Sequence, residues 1–391
     1  VILIGLLLLV VIGVIVVRLN QKIAGEKAAI AESARVEVEI RPLRAPATDG
    51  LTTYLNTADV RAAAVFDGAR YLATSGGLVK LDSAGAPGAR FTTLDGLPDN
   101  DLTCLAVFRD KLFAGTSNAG LISFDGIGFT GYRFLKPNAT RISVLLATEG
   151  ELLVGTMDGG LFEFDGERFS RRYNSTSGAD FKRVTALLAP ESRLYIGTQD
   201  QGLYVWQEAR IEHLSVGEGL PSPRVTGLVQ LPDRYSGLGL IGVATDFGVV
   251  GLNEYGSIQP FSPLPNVTSL AVHDGRLFAG RFGGGALELR PDAAATVAAS
   301  QRTGEPSDTN GLPVAIPTTI AAEDAELWAF TPAGAFVLSE RGATLFFDPV
   351  SSQLASASVL SSEHVTGLAI DGRGRLWIGY FDRGIDLIDP Q

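Results

Sequence analysis

Side chains that usually build enzyme centres are scarce in this chain. Its 391 residues include one cysteine, Cys104, one methionine, Met157, and three histidines, His213, His273 and His364, that stand far apart. A lone cysteine permits neither an internal disulfide nor a cysteine-based zinc site. No motif sets a nucleophile beside a base, and no array of aspartates has EF-hand spacing. Gly283-Gly-Gly285 reads as a turn between strands, not as a phosphate loop opening a helix. The chain is therefore read as a non-enzyme with no cofactor and no metal. Charge is also low. Only 19% of residues are charged, and 43 acids against 32 bases leave a formal net charge of −11. Nucleic acid is excluded as the main partner, because phosphates demand a basic face.

Apolar residues and glycine are plentiful. The first make up 46% of the chain, enough to bury a sizeable core, and glycine contributes 46 residues. Many glycines among few charges imply many tight turns, and hence an all-β protein.

The two ends of the chain read differently. Val1–Val17 contains no polar residue, and Arg18 ends the run. As a helix it would be about 26 Å long, at the short end of a membrane span. Residues 18–35 (RLNQKIAGEKAAIAESAR) are rich in good helix formers, and Leu19, Ile23 and Ile30 fall near one face. One helix is expected over 1–36, apolar and then amphipathic. From Val36 the pattern alternates, and Pro42 and Pro46 break it, so 37–50 is expected to be a linker.

The chain starts at Val1 and not at methionine, which points to a processed or a truncated chain. Processing that retains the apolar run resembles the type IV pilin superfamily over residues 1–36, although Gly5 stands where that family usually has glutamate. The resemblance implies an assembly helix packing through Val1, Ile4, Gly5, Leu8, Val11, Ile12, Gly13 and Ile15. Gly5 and Gly13 would allow close helix approach. Its partners would be copies of the same chain, with the membrane holding the helix before assembly. The alternative is a signal anchor.

A repeat occupies the remainder. Each copy has an apolar strand, a turn, a strand ending near Gly-Thr, a Gly-containing turn and a third strand. Thr74, Thr116, Thr156, Thr198, Thr245, Arg281, Phe330 and Tyr380 mark eight copies spaced 36 to 50 residues apart. Asp-Gly pairs such as Asp125-Gly126 and Asp165-Gly166 suit hairpins. A period near 40 with about four short strands marks a propeller blade, whose two faces are buried only by neighbouring blades. The expected fold is all-β: an eight-bladed β-propeller over 51–391, or a seven-bladed one if the copy near 314–347 is not a blade. The segment 51–56 resembles Phe91-Thr-Thr-Leu94 and should complete the last blade by pairing with 384–389, which removes an open edge. The copies, best seen in Val365-Thr-Gly-Leu-Ala-Ile-Asp-Gly-Arg-Gly-Arg-Leu-Trp-Ile-Gly-Tyr380, resemble two-component-regulator propeller repeats over about 60–391. That resemblance implies a periplasmic or extracellular sensing and binding module.

Individual candidates are few. Asn138, Asn174 and Asn266 open Asn-x-Ser/Thr sequons and could carry glycans on an exported surface. Asp99, Asn100 and Asp101 form a polar cluster that reads as a loop. Trp206, Trp328, Trp377 and Cys104 read as core, His213 as solvent-facing, and His364 as a residue that could line the channel mouth. Residues 291–316 and 348–363 read as long surface loops where a partner could dock. The expected function is an extracellular filament subunit, its helix in the filament core and its propeller forming the exposed, adhesive outer domain on the cell surface. The alternative is a single-pass, membrane-anchored periplasmic or extracellular propeller that binds, senses or scaffolds.

Overall fold

The computed structural model describes residues 35–43, the backbone of 51–54, residues 59–81, 87–136, 139–171, 182–207, 210–273, 275–282 and 285–291, and the backbone of eight strands between 319 and 388. The expected assembly residues Val1, Ile4, Gly5, Leu8, Val11, Ile12, Gly13 and Ile15 lie outside the described residues. So do Asn138, Asn174 and His364. No α-helix occurs among the described residues, and none there is long and apolar enough to cross a membrane.

The repeat folds as antiparallel sheets. Blade 1 is Val60–Phe66, Ala69–Thr74, Gly77–Leu81 and Pro87–Phe91. Blade 2 begins with Leu102–Phe108, blade 3 with Ile142–Ala147, blade 4 with Val184–Leu188, blade 5 with Val225–Gln230 and blade 6 with Val267–His273. Each first strand lies beside the first strand of the next blade. The second strands, such as Leu152–Thr156 and Ile241–Thr245, are buried along their whole length. Covering on both faces is why they read as continuous apolar runs and not as alternation.

Five apolar clusters fill the five junctions between these six blades. Between blades 2 and 3, Phe113, Tyr132 and Phe134 meet Phe162, Phe164 and Phe169, with the Phe164 and Phe169 rings stacked at 4.3 Å. Phe162 is fully buried there, a burial worth about 1.5–3 kcal/mol.

The count of eight blades is corrected to six defined through their side chains, from Val60 to Leu289. The last two copies also form sheets. However, Thr319–Glu323, which opens the seventh, lies directly beside Val60–Phe66 of blade 1. That adjacency leaves no room between them for Val365–Ile370, the first strand of the last copy. The expected joining of the two chain regions does occur. Leu51–Tyr54 pairs antiparallel with Ile385–Ile388, with Thr52 opposite Leu387.

The segment expected to end the helix and begin the linker is a strand. Arg35–Pro42 adds a fifth strand to the outer edge of blade 2, antiparallel to Gly128–Lys136. Period-two alternation places Val36 and Val38 opposite Phe134 and Tyr132, and Val36 packs into the junction between blades 2 and 3. That contact overrides the helix propensity of the preceding residues at Arg35 and Val36.

Candidate functional site

The marker threonines explain how one end of the ring is built. Thr74, Thr116, Thr156, Thr198 and Thr245 are all fully buried. Each donates its hydroxyl across the turn between the second and third strands, to the carbonyls of Gly77, Gly120, Gly160, Gly202 and Gly248 at 2.7–3.0 Å. Each also accepts an N–H from within the turn, as Thr156 does from Gly159 at 2.8 Å. Ala precedes the threonine in blades 1 and 5, but in blades 3 and 4 a glycine does, and the next blade sits against it. A Cβ on Gly155 would lie 2.8 Å from a Val184 methyl, and one on Gly197 would lie 2.6 Å from a Val225 methyl.

In blades 1 to 4 and 6 the second turn is tied to the residue that precedes the first strand. Ser75 donates its N–H to the Asp59 carbonyl, Ser117 to Asp101, Met157 to Arg141, Gln199 to Arg183 and Phe282 to Asn266, at 2.8–3.2 Å. The pre-strand residues and the second turns therefore share one rim. Going round it, Asp59, Asp101, Arg141, Arg183, Arg224 and Asn266 occupy corresponding positions, each just before the first strand of its blade.

The rim is chemically divided. On blades 1 and 2, Arg61 joins Asp59 at 3.0 Å and Asp101 at 2.5 Å, and all three side chains are partly buried. On blades 3 to 5, Arg141, Arg183 and Arg224 are exposed, with Asp200 pairing Arg183 at 3.3 Å. On blades 5 and 6, Phe247 and Phe282 are 65% and 60% exposed. Asn266 lies between them, donating to the Asp246 carbonyl and accepting from the Phe282 N–H. Asn266 is exposed with φ +62, so its sequon side chain is accessible.

The second residue of each first strand forms a second device. A register shift recurs there in all six blades, as between Ile142 and Val144 and between Val184 and Ala186. The bulged side chain reaches the next blade. Arg61 donates to the Leu102 carbonyl, Thr103 to Ile142, Ser143 to Val184 and Thr185 to Val225, at 2.5–3.2 Å. Thr226 and Thr268 hold the same position, yet their hydroxyl oxygens are buried without a hydrogen-bond partner.

The remaining candidates are structural. Asp99 and Asn100 are fully buried, their side chains accepting N–H groups from Asp101, Asn118 and Thr93. They hold the connection from blade 1 to blade 2. His213 is exposed on an outer strand and stacks on Tyr204 at 4.4 Å. His273 pairs with Arg276 across a hairpin at the end away from the rim. Trp206 is half-buried, while the side chains of Trp328 and Trp377 lie outside the described residues. Cys104 as a residue keeps partial exposure, but its sulfur sits against Gly115 and beside Thr103, and burial pushes its thiol up to about 11. Among the described residues, no three metal-ligating side chains come together.

Sequence reading missed the rim positions and the bulge hydroxyls. A signal for the latter is the Ser or Thr after the first apolar residue of blades 2 to 6, Thr103, Ser143, Thr185, Thr226 and Thr268. A second missed signal is Gly-Leu-Pro at Gly96-Leu-Pro98 and Gly219-Leu-Pro221. Each follows a capping box, Thr92 with Asp95 and Ser215 with Glu218.

No family model and no curated protein matches the chain. Among solved structures it is similar to the extracellular domain of a hybrid two-component system, BT3049, from B. thetaiotaomicron. The two share 14% identity with a TM-score of 0.52, covering 90% of this chain and 53% of that one. It is also similar to the extracellular domain of a one-component system, BT4673, from the same organism, at 15% identity, TM-score 0.51, and 88% and 52% coverage. A computationally designed protein, Ika8, matches at 16% identity and TM-score 0.50, over 86% of this chain and 98% of that one. The chain spans about half the length of the two extracellular domains. At these identities the likeness is one of fold, and the fold is a β-propeller. The pilin-like resemblance of residues 1–36 gains no support from these structures.

Proposed function

We propose that the chain is a membrane-anchored propeller outside the cytoplasm that acts as a binding, sensor or scaffold module, and not as an enzyme. The observation that carries this reading is the rim. Six successive blades present different side chains on this one end: an Asp–Arg–Asp bridge, three exposed arginines and two exposed phenylalanines. Aromatic and arginine side chains are those that most often anchor a partner. Val1–Val17 would be the anchor, and the partner would come from the envelope or the medium. The net charge of −11 argues against nucleic acid. Two similar folds belong to extracellular domains of signalling systems, which supports an extracytoplasmic place for this one. The filament reading has only the sequence of residues 1–36 behind it.

The test is site-specific photo-crosslinking in cells expressing the full chain. A photo-reactive residue at Arg141, Phe247 or Phe282 should give discrete adducts. One at Glu191, in a hairpin at the opposite end, should not. Equal labelling from both ends would remove the rim from the proposal. An alkaline phosphatase fusion after Gln391 that stayed inactive would remove the extracytoplasmic placement.

A further inference from the structure

Arg35–Pro42 is the outermost strand of its five-stranded sheet, and its far edge carries no strand among the described residues. It is held firmly. Val36 packs between blades 2 and 3, and Leu43 packs between blades 1 and 2 and donates its N–H to the Ile127 carbonyl. Gly96 lies so close that an added Cβ would meet the Pro42 carbonyl at 2.8 Å. Yet Val38 and Ile40 are 56% and 79% exposed, on the face that Val36 buries. Glu37 and Glu39 are exposed on the other face. A fixed edge strand with open backbone groups and unburied β-branched side chains is a template for another strand.

The sequence of this edge complements itself. In an antiparallel pair of two copies centred on Glu39, Val38 stands opposite Ile40 twice and Glu37 opposite Arg41 twice, while Glu39 meets its own copy in a single like-charge contact that each chain's Arg41, 2.7 Å from its Glu39, offsets. Residues 36–42 all take part. Centring on Val38 instead sets Glu37 against Glu39 twice and Arg35 against Arg41 twice, four like-charge pairs in place of one, and centring on Ile40 sets Val38 against Pro42, which has no N–H to donate. Centring on Glu37 leaves Ile40 outside the pair. We infer that a second copy of this chain docks edge to edge on Arg35–Pro42, in the register centred on Glu39, joining the two blade 2 sheets across a twofold axis.

The register makes the inference testable. Residues directly opposite in antiparallel strands have Cα atoms about 4.5–5.5 Å apart, within disulfide reach. Residue 39 meets its own copy at the axis. Residue 37 is separated from its own copy by four strand positions, about 13 Å, beyond that reach. The full chain in detergent, carrying either Glu39→Cys or Glu37→Cys, is treated with copper-phenanthroline and run on a non-reducing gel. Both sites are exposed, so both variants should fold. The expected result is cross-linked dimer from Glu39→Cys about tenfold above that from Glu37→Cys, as the reach criterion requires. Glu37→Arg added to Glu39→Cys should reduce the dimer, and Arg41→Glu added to both should restore it. Equal yields from the two cysteine variants, as association through residues 1–34 alone would give, would overturn the inference. No dimer, or dimer indifferent to the charge reversals, would do the same.

Discussion

The Thr185 hydroxyl donates to the Val225 carbonyl at 2.6 Å, crossing from blade 4 to blade 5. Thr226, one residue further on, holds the same position on blade 5 and makes no such bond. The pair separates a hydrogen bond that holds blades together from a hydroxyl that merely occupies the site.

Thr185→Val should therefore destabilise the protein by about 1–2 kcal/mol, since it leaves a carbonyl at the blade junction without its donor. Thr226→Val should cost under about 0.5 kcal/mol or be stabilising, because it removes a buried polar atom that has no partner. Urea unfolding of the two variants side by side checks the contrast. Equal losses would mean that the inter-blade bond contributes nothing.

The glycine of the Gly-Thr marker offers a second contrast. Gly155→Ala would place its methyl 2.5 Å from a Val144 methyl and 2.8 Å from a Val184 methyl. Blades 3 and 4 would have to separate, at a cost of about 1–3 kcal/mol. Gly150, in the hairpin at the other end of the blade, has nothing within 4 Å of an added Cβ and no positive φ. Gly150→Ala should be neutral or stabilise by up to about 1 kcal/mol, through a less flexible unfolded chain. Melting temperatures of the two variants should move in different directions.

The same residues show how much of the architecture could be read beforehand. The marker period located the second strand of every described blade, because a small residue that admits the next blade (Gly or Ala) and, in five of the six, a buried threonine that clasps its own turn are local requirements. The pairing of Leu51–Tyr54 with Ile385–Ile388 was legible because blade grammar left one copy without its outer strand. Blade number was not legible. It depends on which sheets adjoin at the closure, and a repeat count says nothing about that. The rim was legible only as loops. Asp59, Arg141 and Phe282 gain meaning from sharing one end of a ring, a relation between residues 40 and more positions apart in sequence.

Cys104 supplies a pH prediction. Its thiol is raised to about 11 by burial, above the ordinary range near 8.5. At pH 8 its thiolate fraction should be roughly two hundredfold below that of a free cysteine, so iodoacetamide labelling of the native protein should be slower by that order. The sign for stability follows. The unfolded chain ionises first as pH rises, so the benefit of keeping the thiol neutral is complete below about 8.5 and declines as pH rises towards 11. Labelling at the rate of the urea-unfolded protein would contradict the enclosure of this sulfur.

Tyr235 takes over where the hydroxyl ladder stops. It is fully buried, donates its Oη–H to the Leu289 carbonyl at 2.6 Å and accepts the Leu277 N–H at 3.0 Å. Both partners belong to blade 6, while Tyr235 sits in the turn between the first two strands of blade 5. Its ring packs beside Phe261 at 6.2 Å. Tyr235→Phe keeps that packing and removes only the oxygen, leaving a buried N–H and a buried carbonyl of blade 6 without this partner. The expected loss is about 2–4 kcal/mol, larger than for Thr185→Val, because two backbone groups are orphaned and not one. Hydrogen exchange should locate the effect, with faster exchange at Leu277 and its strand neighbours and unchanged protection in blades 2 and 3. A uniform rise across all blades would mean that Tyr235 supports the ring as a whole, and not the junction of blades 5 and 6.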